Sequence, residues 1–177
     1  MNIYEILRKD KDPEYQRKTG KYWCSELWAM KKGYLKPADL LKEKEINNAG
    51  LENIFWGEAL ESYLVALLGE KNIDCEYQKR YEIFIEEGIT LTVKPDFEFK
   101  DYIIEFKCPV ISVNGIPDKW KYQLEAEYQA TKKTVILGVF QRPIAFFEYK
   151  PSEETWDEIK KILKGFHSKV VKLNETA

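Results

Sequence analysis

A chain of 177 residues with 44% hydrophobic and 14% aromatic content can bury one core, so we expect a single domain over residues 1–177, with an N-terminal helical segment over 1–50. Its three cysteines form no CxxC pair, which argues against a zinc ribbon or a disulfide framework and favours a reducing compartment. No apolar signal segment or membrane-length run is present, and the net charge of -2 does not indicate a nucleic-acid-binding protein. The sequence predicts a soluble cytoplasmic protein.

The first part of the chain is predicted to be mainly helical. Residues 1–18 are expected to form a short helix broken near Asp12-Pro13, and residues 34–50 a loop that could include a short helix. KYWCSELWAMKK, residues 21–32, has helical spacing up to Gly33, and a strong helical pattern runs over residues 51–68 and stops at Gly69.

The second part alternates strands and helices. The predicted elements are a strand over 75–86, a turn at 87–88, a hairpin over 93–108, a loop over 111–118, a helix over 118–130 capped by Asp118, strands over 134–140 and 144–149, and an amphipathic helix over 152–166. This order predicts an α/β or α+β layered domain around one mixed sheet.

The predicted hairpin VKPDFEFKDYIIEFKCP collects charge on one face. With Lys100-Asp101 as the turn, Phe97 pairs with Ile104 and Asp96 lies opposite Glu105, while Lys107 shares the face of Glu105. Opposed carboxylates destabilise a sheet and raise each other's pKa unless a cation lies between them. A divalent cation site and a solvated charged face both fit this segment. The other face is expected to be core and carries Phe97, Phe99, Ile104, Phe106 and Cys108.

Glu61 lies at the centre of the face that the helix over 51–68 is expected to bury. That face also carries Ile54, Gly57, Glu58, Leu64, Val65 and Leu68. A buried ionised carboxylate is costly unless it is paired or bound to metal. Gly57, one turn earlier, would leave room for a backbone or a ligand. Pairing of Glu61 with a lysine at the edge of the core is the alternative.

The motifs Gly57-x-x-x-Glu61, Pro95-Asp96 and Glu105-Phe106-Lys107 follow the order and spacing of the PD-(D/E)xK nuclease signature. The chain resembles the RecB-like branch of that superfamily. KYWCSELWAMKKGY is similar to the helix that precedes the core in CRISPR-associated RecB-like nucleases, and KYQLEAEYQA resembles the family's glutamine-bearing helix, so the resemblance covers most of residues 20–150. It implies an α/β, restriction-endonuclease-like fold, with a mixed β-sheet flanked by α-helices.

The sequence departs from this family at two places. Cys24 matches the first cysteine of members with an iron–sulphur cluster, but no cysteine follows Cys108, so no iron–sulphur cluster is expected. The family's Q-x-x-x-Y motif has a tyrosine at the fourth position after the glutamine. In this chain the residue at the fourth position after Gln123 is Glu127. Tyr128 comes one residue later and is rotated about 140° from Gln123 on a helix, so the two cannot share a face.

The resemblance implies a metal-dependent deoxyribonuclease, an exonuclease or endonuclease acting on single-stranded DNA or DNA ends. Mg²⁺ or Mn²⁺ would be bound by Glu61, Asp96, Glu105 and the backbone carbonyl of Phe106. Lys107 would orient the attacking water or stabilise developing charge, with its pKa held near the working range by burial and metal. Gln123 would contact the phosphate or the metal-bound water.

Several cations and aromatic residues are candidate DNA contacts. Those near the expected cleft are Lys94, Lys119, Trp120, Lys121 and Tyr128. A groove for a single strand could be formed by Arg17, Lys18, Lys21, Lys31 and Lys32, interleaved with Tyr22, Trp23 and Trp28, although packing is favoured for Trp23. His167 is expected to lie on the surface.

Two other functions are compatible with the sequence. One is a catalytically silent DNA-binding or assembly subunit with the same fold, and the other is a Holliday-junction resolvase-like endonuclease. The intact set of Asp96, Glu105 and Lys107 argues against the silent subunit, because opposed carboxylates without a metal only destabilise a sheet. No membrane partner is expected. The sequence does not determine the oligomeric state, and a homo-oligomer is compatible with it.

Overall fold

The computed structural model of the protein describes residues 18–41 and 48–176. The predicted helix over residues 1–18, its break at Asp12-Pro13, and Arg17 therefore lie outside the described residues, apart from Lys18. Within them, no helix is long and apolar enough to cross a membrane.

The described residues form eight strands, four α-helices and two short 3₁₀ turns. The strands are β1 Lys21–Trp23, β2 Glu76–Tyr77, β3 Tyr81–Glu86, β4 Ile89–Val93, β5 Phe97–Glu98, β6 Tyr102–Lys107, β7 Thr134–Val139 and β8 Ala145–Glu148. The helices are α1 Leu27–Lys32, α2 Asn48–Glu70, α3 Asp118–Thr131 and α4 Glu153–Thr176, and the 3₁₀ turns are Cys24–Glu26 and Pro37–Leu41.

The strands form two mixed sheets flanked by helices. One has the order β1-β4-β3, with β1 parallel to β4, and the other has the order β2-β5-β6-β7-β8, with β6 parallel to β7. The predicted mixed α/β class is confirmed, but the prediction of one sheet is wrong. The predicted first strand of the hairpin is divided at Pro95-Asp96, where the chain leaves β4 in one sheet and enters β5 in the other.

The predicted register of the hairpin is confirmed. Phe97 pairs with Ile104 and Glu98 with Ile103, and the Phe99 N–H donates to the Tyr102 carbonyl at 2.9 Å. The predicted core face is only partly correct, because Phe97 is 1% exposed but Phe106 is half-buried and Cys108 is exposed. The buried residues of β6 are instead Ile103 and Glu105. The charged face of β6 is therefore the deeper one.

Residues 21–23 form a strand, so the predicted helix over residues 21–32 is wrong at its start. Tyr22 and Trp23 pair with Leu91 and Thr92 of β4, and the Tyr22 side chain is fully buried. Pairing with a strand far along the chain outweighs the local helical spacing. The helical part begins at the 3₁₀ turn and ends at Gly33, whose left-handed φ of 73° closes α1 as predicted.

Helix α2 forms where predicted but buries little of the expected face. Ile54 and Val65 are 43% and 38% exposed, and Glu61 is half-buried. Among the described residues, no other part of the chain comes within 4 Å of a Cβ built on Gly57, so the predicted room is present and no backbone occupies it. Apolar residues occur on all sides of this helix, and the sequence therefore did not distinguish its packed side.

Helices α3 and α4 cover the two sheets. The N-cap of α3 is Pro117, so the predicted cap Asp118 instead lies in the first turn, where its charge is favourable. Helix α4 extends ten residues beyond the predicted end at 166, to Thr176. His167 is half-buried with Nδ1 2.8 Å from the Tyr22 hydroxyl, so its prediction as a surface residue is wrong.

The core has two parts. The larger lies among the three-stranded sheet, α1, α3 and α4, and includes Tyr22, Leu91, Ile159 and Leu163. The smaller lies between the five-stranded sheet and α3, and its buried residues are Ile103, Leu124, Val135, Leu137, Val139 and Tyr149. Both parts therefore contact α3, which holds the two sheets together.

We predict that Gly138→Ala destabilises the protein by about 1–3 kcal/mol. A Cβ on Gly138 would overlap the ring of Phe106, which is itself packed against Phe97 and Phe140. Urea unfolding measures the change. The control is Gly57→Ala, where the Cβ enters open space in a helix interior and should stabilise by about 0.5–1 kcal/mol. A neutral G138A variant would contradict the tight packing of Phe106.

Candidate functional site

The predicted acidic and basic residues converge where α3 crosses the end of β6. Strand β6 supplies Glu105 and Lys107, the connection between the two sheets supplies Asp96, and α3 supplies Gln123. Glu105 is 2% exposed, Gln123 8% and Asp96 9%, whereas the Lys107 side chain is 25% exposed. The site therefore opens to solvent near Lys107 and closes towards α3.

Glu105 contacts both Gln123 and Lys107 and so connects the residues of the site. Its Oε1 accepts a hydrogen bond from the Gln123 amide at 2.5 Å, and it also pairs with the Lys107 ammonium. Its Oε2 is buried and has no hydrogen-bond partner. Because an unsatisfied carboxylate oxygen is costly in a protein interior, this oxygen is suited to a ligand.

Asp96 is close to Glu105 but is not its ladder partner, contrary to the predicted strand pairing. Its Oδ2 accepts the N–H of Phe106 at 2.7 Å, and its carbonyl accepts the N–H of Gln78 at 3.0 Å. Burial, and then the charges of Glu105 and Glu61, raise the pKa of Asp96 well above its usual value. The charge of Glu105 therefore acts on Asp96 in the predicted direction.

Glu61 reaches the site from α2. Its Oε2 accepts hydrogen bonds from the Tyr77 hydroxyl at 2.9 Å and the Gln78 amide at 2.7 Å. Among the described residues these groups, and no lysine, hold the carboxylate. Gln78 also binds the Asp96 carbonyl and has a left-handed φ of 50°. Sequence reasoning missed this residue, which links α2 to the hairpin.

Lys107 is a cation in this arrangement. Burial alone would lower the pKa of Lys107. The attraction of its ammonium to Glu105 and Asp96 together outweighs burial and raises the pKa above the ordinary lysine value. The predicted shift into the working range is therefore not produced by these residues themselves.

Glu127 is a further member of the site that sequence reasoning did not select. It is fully buried, its Oε1 accepts the Gln123 amide at 3.0 Å, and its Oε2 has no partner. Burial, and then the charge of Glu105, raise the pKa of Glu127 well above its usual value. The available signal was its position four residues after Gln123, which places both on one side of a helix.

The candidate DNA contacts do not all reach the site. Trp120 and Tyr128 pack against the smaller core, and Tyr128 does not share the face of Gln123, as predicted. Lys119 and Lys121 are exposed, the first with its ammonium 4.8 Å from the Trp120 ring and the second paired with Asp118 at 2.7 Å. The half-buried Lys94 lies just before Pro95-Asp96.

The groove proposed near the N-terminus is only partly compatible with the structure. Tyr22 is fully buried, which excludes it as a stacking surface, and Trp23 is buried as favoured. Trp28 is half-buried with the Lys32 ammonium 4.7 Å from its ring, and Lys31 pairs with Glu158 at 2.6 Å.

The chemistry of the site fits a hard divalent cation. Its anionic groups are all carboxylates, the ligands that Mg²⁺ and Mn²⁺ favour, and Glu105 offers a buried oxygen without a partner. Within residues 18–41 and 48–176, no three His, Cys, Asp or Glu side chains are already arranged around one metal position. In this arrangement the Lys107 ammonium supplies the positive charge that the Glu105 carboxylate needs.

Comparison with known proteins identifies the fold. No family model matches the sequence, and no curated protein matches it. Among solved structures, SSO0001 is similar with a TM-score of 0.68 and 19% identity, over 94% of this chain and 85% of that chain. An alkaline exonuclease from Laribacter hongkongensis gives a TM-score of 0.63 and 15% identity, over 89% of this chain and 93% of that one.

A phage-related exonuclease from Haemophilus somnus is also similar, with a TM-score of 0.59 and 16% identity, over 89% of this chain and 96% of that chain. At such low identities the likeness establishes the fold alone. The chain therefore shares the fold of these proteins, with mixed sheets flanked by helices, and the predicted fold class is confirmed.

We predict that Glu127→Gln is at least as stable as the wild type, with an advantage that grows from about pH 5 to about pH 8. Because the pKa of Glu127 is raised in the folded protein, the unfolded chain binds fewer protons above the ordinary glutamate range, and the wild type loses stability as pH rises. The glutamine does not titrate. Thermal unfolding at both pH values measures the difference.

The control is Glu148→Gln, at an exposed surface pair with Lys150, where a small effect is expected. A Glu127→Gln variant that is less stable than the wild type by the same amount at both pH values would contradict the prediction, because it would mean that the ionised carboxylate stabilises the fold.

Proposed function

We propose that this protein is a metal-dependent deoxyribonuclease that hydrolyses DNA phosphodiester bonds. The observation that carries the proposal is the state of Glu105, a buried carboxylate with one oxygen bound by Lys107 and Gln123 and the other without a partner, beside Asp96. A core built only for stability has no use for this arrangement, since buried unsatisfied oxygens cost free energy.

The cation would be Mg²⁺ or Mn²⁺, held by Glu61, Asp96, Glu105 and the backbone carbonyl of Phe106. When bound, such an ion activates water for hydrolysis and offsets the negative charge of the scissile phosphate. Burial, and then the charges of Glu105 and Glu61, raise the pKa of Asp96. This supports the role, because a cation among these carboxylates would stabilise their charged forms.

Lys107 and Gln123 complete the proposed site. Lys107 is the most exposed of the site residues on β6 and α3, and its ammonium donates to a phosphate oxygen or holds the attacking water. Gln123 holds the Glu105 carboxylate through its amide and keeps the second oxygen in place.

DNA is the proposed substrate, as single strands or as ends. The solved structures with this fold include an alkaline exonuclease and a phage-related exonuclease, which favours a nuclease of the PD-(D/E)xK type. Lys119 and Lys121, exposed in the first turn of α3, are the candidates for phosphate contacts. The motifs around Glu61, Asp96 and Lys107 support a RecB-like enzyme, an exonuclease or an endonuclease.

A catalytically silent DNA-binding subunit is the second candidate. It is favoured by the ion pair between Lys107 and Glu105, which neutralises the carboxylate without a metal, and by the lack of a preformed three-residue metal group within the described ranges. This candidate predicts DNA binding that is unaffected by EDTA.

We predict that the wild type cleaves DNA with Mg²⁺ or Mn²⁺ but not with EDTA, and that Glu105→Gln lowers the rate by at least about 10²–10³-fold. Glu105→Gln removes the charge and keeps the shape of the side chain. The assay uses labelled linear and circular DNA, each single- and double-stranded. Intact circles would identify an exonuclease, and cut circles an endonuclease.

Asp157→Asn, at an exposed pair with Lys160 on α4, is the control and should cleave like the wild type. Circular dichroism checks that both variants fold. If the folded wild type binds DNA but cleaves none of the substrates with either metal, the nuclease proposal is wrong and the silent subunit is favoured.

A further inference from the structure

Glu127 is a fully buried carboxyl group that the proposed reaction does not use. It lies on α3, one turn after Gln123, and within hydrogen-bonding reach of Glu105. The buried thiol of Cys24 is also near, close enough for burial and then the charges of Glu127 and Glu105 to raise its pKa. Such a group is rarely kept in a core without a contact that requires it.

The contacts of Glu127 lead to Glu105. The Gln123 amide nitrogen donates to Glu105 Oε1 at 2.5 Å and to Glu127 Oε1 at 3.0 Å. With both carboxyl groups as acceptors, this amide is fixed in one orientation. The fixed amide in turn determines which oxygen of Glu105 is bound and which is left without a partner.

The two carboxyl groups also have one buried, unpartnered oxygen each, Oε2 of Glu105 and Oε2 of Glu127. Glu105 Oε2 is thereby left for a ligand, while Glu127 Oε1 keeps its contact with Gln123. A carboxyl group, charged or neutral, or an amide of the same shape can accept from Gln123 at this position.

Exposure separates Glu127 from the cation position. The side chain of Lys107 is 25% exposed, Asp96 is 9%, Glu105 is 2% and Glu127 is 0%. A cation entering from solvent therefore meets Asp96 and Glu105 before Glu127, which forms the floor of the site.

We propose that Glu127 is a positioning residue of the cation site, which holds Glu105 and Gln123 in the orientation that presents Glu105 to the cation without being a ligand itself. The inference rests on the proposed function, since it assigns a role within the same site. It predicts that Mn²⁺ affinity depends on the shape of the Glu127 side chain and on its hydrogen bond with Gln123. The negative charge of Glu127 is predicted not to affect this affinity.

The test is calorimetric titration of the folded protein with Mn²⁺ in the absence of DNA. Glu127→Leu removes the hydrogen bond from Gln123 at similar volume, and we expect it to bind Mn²⁺ about 10–100-fold more weakly than the wild type. Glu127→Gln keeps an acceptor for Gln123, so its affinity should match that of the wild type. If the leucine variant does not fold, Glu127→Met is the second apolar variant, because methionine adapts to irregular space.

Glu125→Leu is the matched control. Glu125 lies two residues earlier on α3 and is equally buried, but it accepts hydrogen bonds from the Tyr149 hydroxyl at 2.8 Å and the Ser152 N–H at 2.9 Å, outside the site. Its replacement removes a buried carboxyl from the same helix and should leave Mn²⁺ affinity unchanged.

Each other outcome overturns the inference in a distinct way. Wild-type affinity in the apolar Glu127 variants would mean that Glu127 positions nothing, while the proposed metal site would stand. An equal loss of Mn²⁺ affinity in Glu127→Gln and Glu127→Leu would mean that Glu127 is itself a ligand. An equal loss of Mn²⁺ affinity in Glu125→Leu would mean that any damage to α3 weakens the metal site. No Mn²⁺ binding by the wild type would overturn both the inference and the metal-dependent function.

Discussion

The burial of the Glu105 carboxylate between β6 and α3 is the constraint on which the rest of the site depends. A charge in this position needs partners, because desolvation costs several kcal/mol per ion. Lys107, two residues along the strand, and Gln123, from the covering helix, supply partners to one oxygen and leave the other without one. The hydrogen bonds of the parallel pair β6 and β7 and the packing of α3 fix these side chains relative to one another.

The two-sheet architecture brings the remaining carboxylates to Glu105. The chain leaves β4 and enters β5 through Pro95-Asp96, and this crossing places Asp96 beside β6, where the Phe106 N–H holds its side chain. Gln78 then links the Asp96 carbonyl to Glu61 on α2. Residues distant in the sequence thus form one acidic site because the chain changes sheets at this point.

The sequence could predict what depends on local pairing. The turn at Lys100-Asp101 sets the register of Phe97 with Ile104, and the helical pattern locates α2, α3 and α4. It could not predict which face of the hairpin α3 covers, since alternation groups residues by face but does not say which face is buried. The strand at Lys21–Trp23 depends on pairing with the distant β4, and Glu127 was not selected because a helical glutamate is usually exposed.

Anomalous diffraction from crystals of the protein soaked with Mn²⁺ tests the central claim most directly, since it locates the metal without relying on activity. The account predicts a manganese peak in contact with Asp96 and with the Glu105 oxygen that has no hydrogen-bond partner. A Lys107–Glu105 ion pair that persists at saturating Mn²⁺, with no manganese peak beside Glu105, would contradict the account.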